Sequence, residues 1–282
     1  MYEPFHIYII SLNIIDMMDD FDRINTCNSK LEHYMFHTLA FYGASIGSSY
    51  EAVSGVTDGL FTLTTDSKFV VGDNLYVFAG WAGGGDLTGA RVSSPSLVRR
   101  GRPLLRPWTL SSTPGNDPNM AVLLDRPTLI PKAEKFTLEA QASGTSVHGV
   151  LFVLKEPLRQ VPAKGDFLTL SGNSSASSTA NQWTEVSVNW DETLPNGKYA
   201  VIGSECHSTD AVAHRWIFDS QQLRPGGLST TSGGERTHSL FYDGKLGVWG
   251  EFTAQVPPRL EVFTTGISSD HTVYLQVVRV DG

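Results

Sequence analysis

A chain of 282 residues with 40% hydrophobic side chains has room for two domains of common size, each with its own core. Only 18% of it is charged and the net charge is -8, with no basic run beyond Arg99-Arg100-Gly101-Arg102, which argues against direct nucleic-acid binding through a basic face. The 27 glycines and 14 prolines suit an all-β chain with many turns, and two cysteines, Cys27 and Cys206, give neither a disulfide framework nor a metal-type spacing and suit a reducing cytosol.

Residues 1–48 differ from the rest and read as an N-terminal arm or a translated leader. Residues 5–18 are strongly apolar, yet too short and interrupted for a membrane span, and without the basic start or cleavage site of a signal peptide. A short helix is expected over residues 31–42, with Leu31, Met35, Phe36, Leu39 and Phe41 apolar. Residues 43–59, rich in Gly, Ser and Ala, read as a linker.

A first β-domain is expected over residues 49–157, its strands at 61–64, 74–81, 120–124, 135–142 and 149–154. Loops at 82–89 and 113–119 separate them, the second with turn-forming Pro114, Gly115, Asn116, Asp117 and Pro118. Residues 158–182 read as a linker that includes one short strand, 166–170, and ends in a serine-rich run. The second β-domain, 183–282, opens with an alternation that puts Val186, Val188 and Trp190 on one face. Strands follow at 198–204, 214–218, 239–242, 246–253, 259–264 and 271–280, and residues 225–236, with four glycines, read as an exposed loop. Six or seven short strands per half, with long loops between several, allow an immunoglobulin-like sandwich or a jelly roll. The long excursions favour the jelly roll.

Few residues nominate themselves for chemistry. Cys206, His207, Asp210 and His214 form the densest set of metal-ligand types. Adjacent strand residues point to opposite faces, so a structural turn is favoured and no bound transition metal is expected. Asp125 and the pair Asp191 and Glu192 lie just after strands without a partner carboxylate at catalytic spacing. No nucleophile elbow, phosphate-binding glycine loop or grouped Ser/His triad is present, so neither an enzyme nor a cofactor is expected. Among the tryptophans, Trp190 and Trp216 sit in apolar strand patterns and read as core. Trp81 and Trp108 lie nearer loops and are the more open candidates for sugar stacking, with Trp183 and Trp249 also considered.

The two halves echo each other. Tyr76 and Gly80 align with Tyr199 and Gly203 at an offset of 123, Arg91 with Arg215 at 124, and Arg102-Pro103 with Arg224-Pro225 at 122. Residues 136–139 align with 260–263 at 124, and 150–154 with 273–277 at 123. Five blocks in one order with so little drift point to tandem duplication of one β-domain. Tyr76 and Tyr199, and Val150 and Val273, are then expected at equivalent strand positions, and Tyr199, Val201, Val273 and Leu275 point into a barrel.

Two similar jelly rolls in one short chain without a catalytic set resemble the double jelly-roll major capsid proteins of small membrane-containing icosahedral bacteriophages, the corticoviruses and FLiP-like phages. The resemblance covers residues 60–280 and is carried by the duplicated Tyr, Gly, Arg and Arg-Pro positions. It implies two tandem barrels, a homotrimer with six barrels and a pseudo-hexagonal outline, and a place in the virion after assembly in the host cytoplasm. It also implies neighbouring capsomers and minor capsid or vertex proteins as partners. An inward arm over residues 1–42 would lie near an internal membrane, although Asp16, Asp19, Asp20 and Asp22 make it acidic. A two-module carbohydrate-binding or adhesin protein is the alternative, to be favoured by exposed coplanar aromatics. A cupin-like enzyme, which needs a histidine-rich metal set inside a barrel, is the weakest.

Overall fold

The computed structural model describes residues 36–99, 120–155, 167–231 and 238–280, and these are all-β apart from one five-residue helix, Pro95–Arg99, and one 3-10 turn. The first half contributes β1 (Phe36–Ile46), β2 (Glu51–Gly55), β3 (Thr62–Leu63), β4 (Phe69–Val70), β5 (Leu75–Gly83), β6 (Gly89–Ser93), β7 (Ala121–Val122), β8 (Thr128–Ile130), β9 (Lys135–Gln141) and β10 (Thr145–Leu154). The second contributes β11 (Phe167–Ser174), β12 (Trp183–Val186), β13 (Asn189–Trp190), β14 (Lys198–His207), β15 (Ala211–Ile217), β16 (Gly226–Leu228), β17 (Gly250–Thr253), β18 (Arg259–Thr264) and β19 (His271–Arg279).

In the second half the strands form two antiparallel sheets, β13-β11-β19-β14-β17 and β12-β18-β15-β16. Alternation along β14 and β19 sends Tyr199, Val201, Val273, Leu275 and Val277 into the apolar cluster between them, all essentially inaccessible. The inward positions expected from the sequence are therefore these. In the first half β1-β10-β5 with β7 and β8 makes one layer, and β2-β9-β6 the other. Leu39, Phe41, Val77, Leu151 and Val153 fill the space between the layers.

The halves share their pairings. In β10 and β5, Phe152 pairs Ala79 and a bulge separates it from the Val153–Val77 pair. In β19 and β14, Gln276 pairs Gly203 and a bulge separates it from Val277–Val201. A shift of 124 residues in both strands carries one set onto the other, bulge included. A bulge is a specific local device, so its recurrence at the same rung is a strong sign of common construction. The next strand follows suit: Phe36, Thr38 and Leu39 of β1 stand against β10 as Phe167, Thr169 and Leu170 of β11 stand against β19.

The register differs by one residue from the sequence alignment. Tyr76 pairs Leu154 as Ala200 pairs Val278, so Leu75, not Tyr76, is the counterpart of Tyr199. Likewise Val150 corresponds to Tyr274, and Val273 to Gly149. The strands are equivalent, but a one-residue slip exchanges faces. Tyr199 points inward with its hydroxyl donating to the Pro195 carbonyl at 2.9 Å, whereas Tyr76 is half-buried.

Five expected elements change. Residues 36–42 are strand rather than helix, because β1 lies between β10 and β2 with both faces covered and therefore reads as a continuous apolar run. Residues 43–59 hold the end of β1 and all of β2, and the expected linker 158–182 holds β11, paired along its whole length with β19. Residues 226–228, expected as exposed loop, are the buried edge strand β16. Gly226 is required there because a Cβ would sit 1.9 Å from the His214 carbonyl oxygen. Residues 239–241 form the 3-10 turn, with His238 Nδ1 accepting the Leu240 N–H at 3.2 Å. Arg102, Pro103, Trp108, Cys27 and the arm up to residue 35 lie outside the described residues. No helix among the described residues is long and apolar enough to cross a membrane.

One apolar cluster crosses from half to half. The outer face of β1, β10 and β5 presents Phe36, Phe78 and Phe152, which meet Trp249 and Phe241 of the second half. Phe152 and Phe241 lie 4.7 Å apart between ring centroids, and Phe36 and Trp249 lie 5.3 Å apart. Such aromatic pairs add about 0.5–1.5 kcal/mol each to the burial itself. The seam is thus as densely apolar as a domain interior.

Candidate functional site

Each half carries the same three-residue set on the outer face of its smaller layer. Arg91 of β6 stands across from Glu139 of β9, and its Nε donates to Glu139 Oε2 at 2.7 Å. Arg215 of β15 stands across from Glu261 of β18, with Nε to Oε2 at 2.6 Å. Tyr50, just before β2, lies under the Arg91 guanidinium at 3.9 Å, and Trp183, opening β12, lies under Arg215 at 4.1 Å. A flat guanidinium offers one edge to a carboxylate and one face to a ring, so the set holds its arginine in a fixed pose.

The two copies differ in what the remaining edge of the guanidinium meets. Arg215 is fully buried at the seam. Its Nη1 donates to Asp58 Oδ2 at 2.9 Å and to the Thr38 carbonyl at 3.1 Å, and Nη2 donates to the Asp58 carbonyl at 3.3 Å. Asp58 Oδ1 accepts the Leu60 and Phe61 N–H groups at 2.8 and 2.7 Å. His37 Nδ1 accepts the Arg224 N–H at 2.9 Å, so its proton sits on Nε2, which donates to Asp58. Arg224 Nη1 also reaches both oxygens of Glu261, at 2.8 and 2.9 Å. Two cations thus meet two carboxylates around a neutral imidazole. Burial pushes Asp58 up, but His37 and Arg215 outweigh it and hold the carboxyl well below its ordinary range. Burial also lowers His37, against the pull of Asp58, and lowers Arg215 against Glu261 and Asp58. The charged groups of the set are engaged with one another and with the backbone, while Trp183 Nε1 is buried without a hydrogen-bond partner among the described residues, and the set acts as a static lock.

The residues nominated from sequence are dispersed. Cys206 faces the apolar interior, and burial pushes its thiol up to about 12. Its neighbour His207 turns the other way, to Thr230 and, at 3.5 Å, Glu205. His214 is enclosed, Nε2 on Ser204 Oγ at 2.6 Å and Nδ1 on Ser229 Oγ at 3.1 Å. Asp210 sits in the turn before β15. Among the described residues no group of three His, Cys, Asp or Glu side chains converges as a metal ion would need. The Ser204–His214 contact has a serine where a triad has its carboxylate, and no path to solvent. Cys206 is therefore expected to react with a maleimide at least about 100-fold more slowly in the native chain than in urea. The measurement is best made in a Cys27→Ser background, and rapid native labelling would contradict the burial.

Asp125 lies in an exposed turn. Asp191 and Glu192 are exposed and both accept from Ser171 Oγ, at 2.9 and 2.8 Å, while Glu192 also accepts the Ser171 N–H at 2.7 Å. Trp81, an open candidate from sequence, is buried, as are Trp216 and Trp249. Trp190 is half-buried and stacked on Trp216, and Trp183 is held under Arg215. None of these five tryptophans is an exposed platform.

Sequence reasoning singled out Arg91, Arg215 and Arg224 but not the other partners. Asp58, His37, Arg224 and Glu261 are brought together from positions 37 to 261, and no local spacing announces them. The available signal is the recurrence of Phe, Thr and Leu in Phe36, Thr38, Leu39 and Phe167, Thr169, Leu170, which places β1 and β11 as counterparts. No family model, no curated protein and no solved structure matches this chain.

Proposed function

We propose that the chain is a double jelly roll and serves as a major capsid protein, a structural virion component whose trimers present six barrels and tile a shell. The observation that carries this is the repeated construction: the same strand pairings, bulge and Arg–Glu–aromatic set occur twice. The orders β11-β19-β14-β17 over β12-β18-β15-β16, and β1-β10-β5-β8 over β2-β9-β6, support this reading, since an eight-stranded roll built from two Greek keys calls for such an arrangement.

Rigidity supports the same conclusion. A shell unit must keep two modules at a fixed angle, and the aromatic seam with its ion lock does that within one chain. Burial of Trp81, Trp216 and Trp249 weighs against a sugar-stacking platform, the alternative from sequence. Light scattering on the purified full chain at micromolar concentration tests the proposal. A mass of roughly three times 30.8 kDa is expected, with contacts of over about 1,000 Å² between chains. A monodisperse monomer that forms neither trimers nor shells would overturn it.

A further inference from the structure

The seam inside the chain is a template for a contact between chains. Within the chain, the Arg215 set of the second half docks along the free edge of β1, where Arg215 meets the Thr38 carbonyl and Asp58, while on the outer face Phe36 is buried against Trp249. Both sides of this joint have counterparts that remain uncovered. Arg91, counterpart of Arg215, has 31% of its side chain exposed. Among the described residues only Glu139 and Tyr50 engage it, so its Nη edge has no acceptor there. Phe167, counterpart of Phe36, is 54% exposed, and Leu168, counterpart of His37, is 46% exposed. Thr169, counterpart of Thr38, is exposed as well.

Charge completes the match. Ser171 stands where Ala40 stands in the first half, one outward position beyond Thr169. Its side chain gathers Asp191 and Glu192, and neither carboxylate has a cationic partner among the described residues. A guanidinium brought to Thr169 as Arg215 is brought to Thr38 would arrive beside two carboxylates.

We infer that the Arg91–Glu139–Tyr50 face of one chain docks on the Phe167–Thr169–Ser171 face of a second copy, with Arg91 on the Thr169 carbonyl and on Asp191 and Glu192. This rests on the trimeric reading above and assigns its interface. The contact is heterologous: each chain offers one face and receives on the other, so repetition closes a ring or extends a filament. Alternating the covalent joint with this one closes six modules from three chains. Phe167 supplies the apolar anchor and Arg91 the oriented charge, both residue types enriched at protein interfaces.

The test is the monomer–trimer midpoint concentration of the full chain, read by sedimentation or light scattering. Arg91→Glu and, on the opposite face, Phe167→Asp are each expected to raise it about 100-fold, the scale for breaking an interfacial charge pair or anchor. Phe167 is exposed and Arg91 half-buried, and an unchanged circular dichroism spectrum confirms that each variant folds. The charge swap Arg91→Glu with Asp191→Lys and Glu192→Lys in one chain is expected to return the midpoint to within about 10-fold of wild type. A trimer that tolerates both single changes overturns this interface and leaves the trimer standing. Loss on Arg91→Glu without recovery in the swap overturns the pairing of Arg91 with the two carboxylates. A wild-type chain that never trimerises overturns both this contact and the reading it rests on.

Discussion

Replacing Arg215 by alanine is expected to cost about 3–5 kcal/mol of stability, while the same change at Arg91 costs under about 1 kcal/mol. The two arginines share a strand position, a carboxylate partner and an aromatic support, so the comparison isolates burial. Without Arg215, Asp58 and Glu261 stay at a dry seam with less of their charge compensated, and the Thr38 and Asp58 carbonyls lose a donor. Without Arg91, Glu139 is close enough to solvent to rehydrate. Urea denaturation of the two variants against wild type checks this, with the melting temperature of Arg215→Ala falling by about 10 °C for a chain of this size. Equal losses at the two positions would mean that the seam confers nothing beyond an ordinary cross-strand pair. Because one apolar cluster joins the halves, the variant should still lose both in a single transition.

The strands that read best from sequence are those whose polar and apolar residues alternate, such as residues 135–141 and 259–264, although the second is buried on both faces. There the period of two is visible. β1 was illegible for the opposite reason. Leu39 and Phe41 face the first interior while Phe36 and Ala40 face the seam, so apolar residues run on without alternation and mimic a helical patch. β16 was hidden by chemistry of another kind: glycine usually signals an exposed turn, but Gly226 is there because β16 presses on the backbone of β15. The duplication was legible in Arg91 and Arg215, whose partners fix them at equivalent rungs. It was misread by one residue at the tyrosines, whose identity is local: Tyr199 has Pro195 to bind and Tyr76 stands on the opposite face. The ion lock could not be read at all, since Arg215 and Asp58 are 157 residues apart and meet only once the halves dock.

The remaining large effect is acid lability centred on His214. Burial, with a smaller push from His207, lowers its pKa to about 3, against about 6.5 in an unfolded chain. Between those values the unfolded state binds a proton that the folded state refuses, so this contribution is complete above about pH 6.5 and is lost as pH falls toward 3. At about 1.4 kcal/mol per unit, the loss over that window is on the order of 5 kcal/mol. His37 and His148 are also lowered, each first by burial, and act in the same direction. Asp58, whose pKa is depressed, contributes stability above about 3.9 that falls away only below it, so measurements between pH 7 and 4.5 isolate the histidines. The expected result is a stability that drops with acid through this range, and a shallower slope in His214→Gln, which keeps a polar group near Ser204 and Ser229 without a titrating ring. The His214 imidazole resonances of the native chain should show no protonation down to about pH 4.5. A slope unchanged by the substitution, together with a native His214 that titrates near 6.5, would place that ring in water rather than inside the second half.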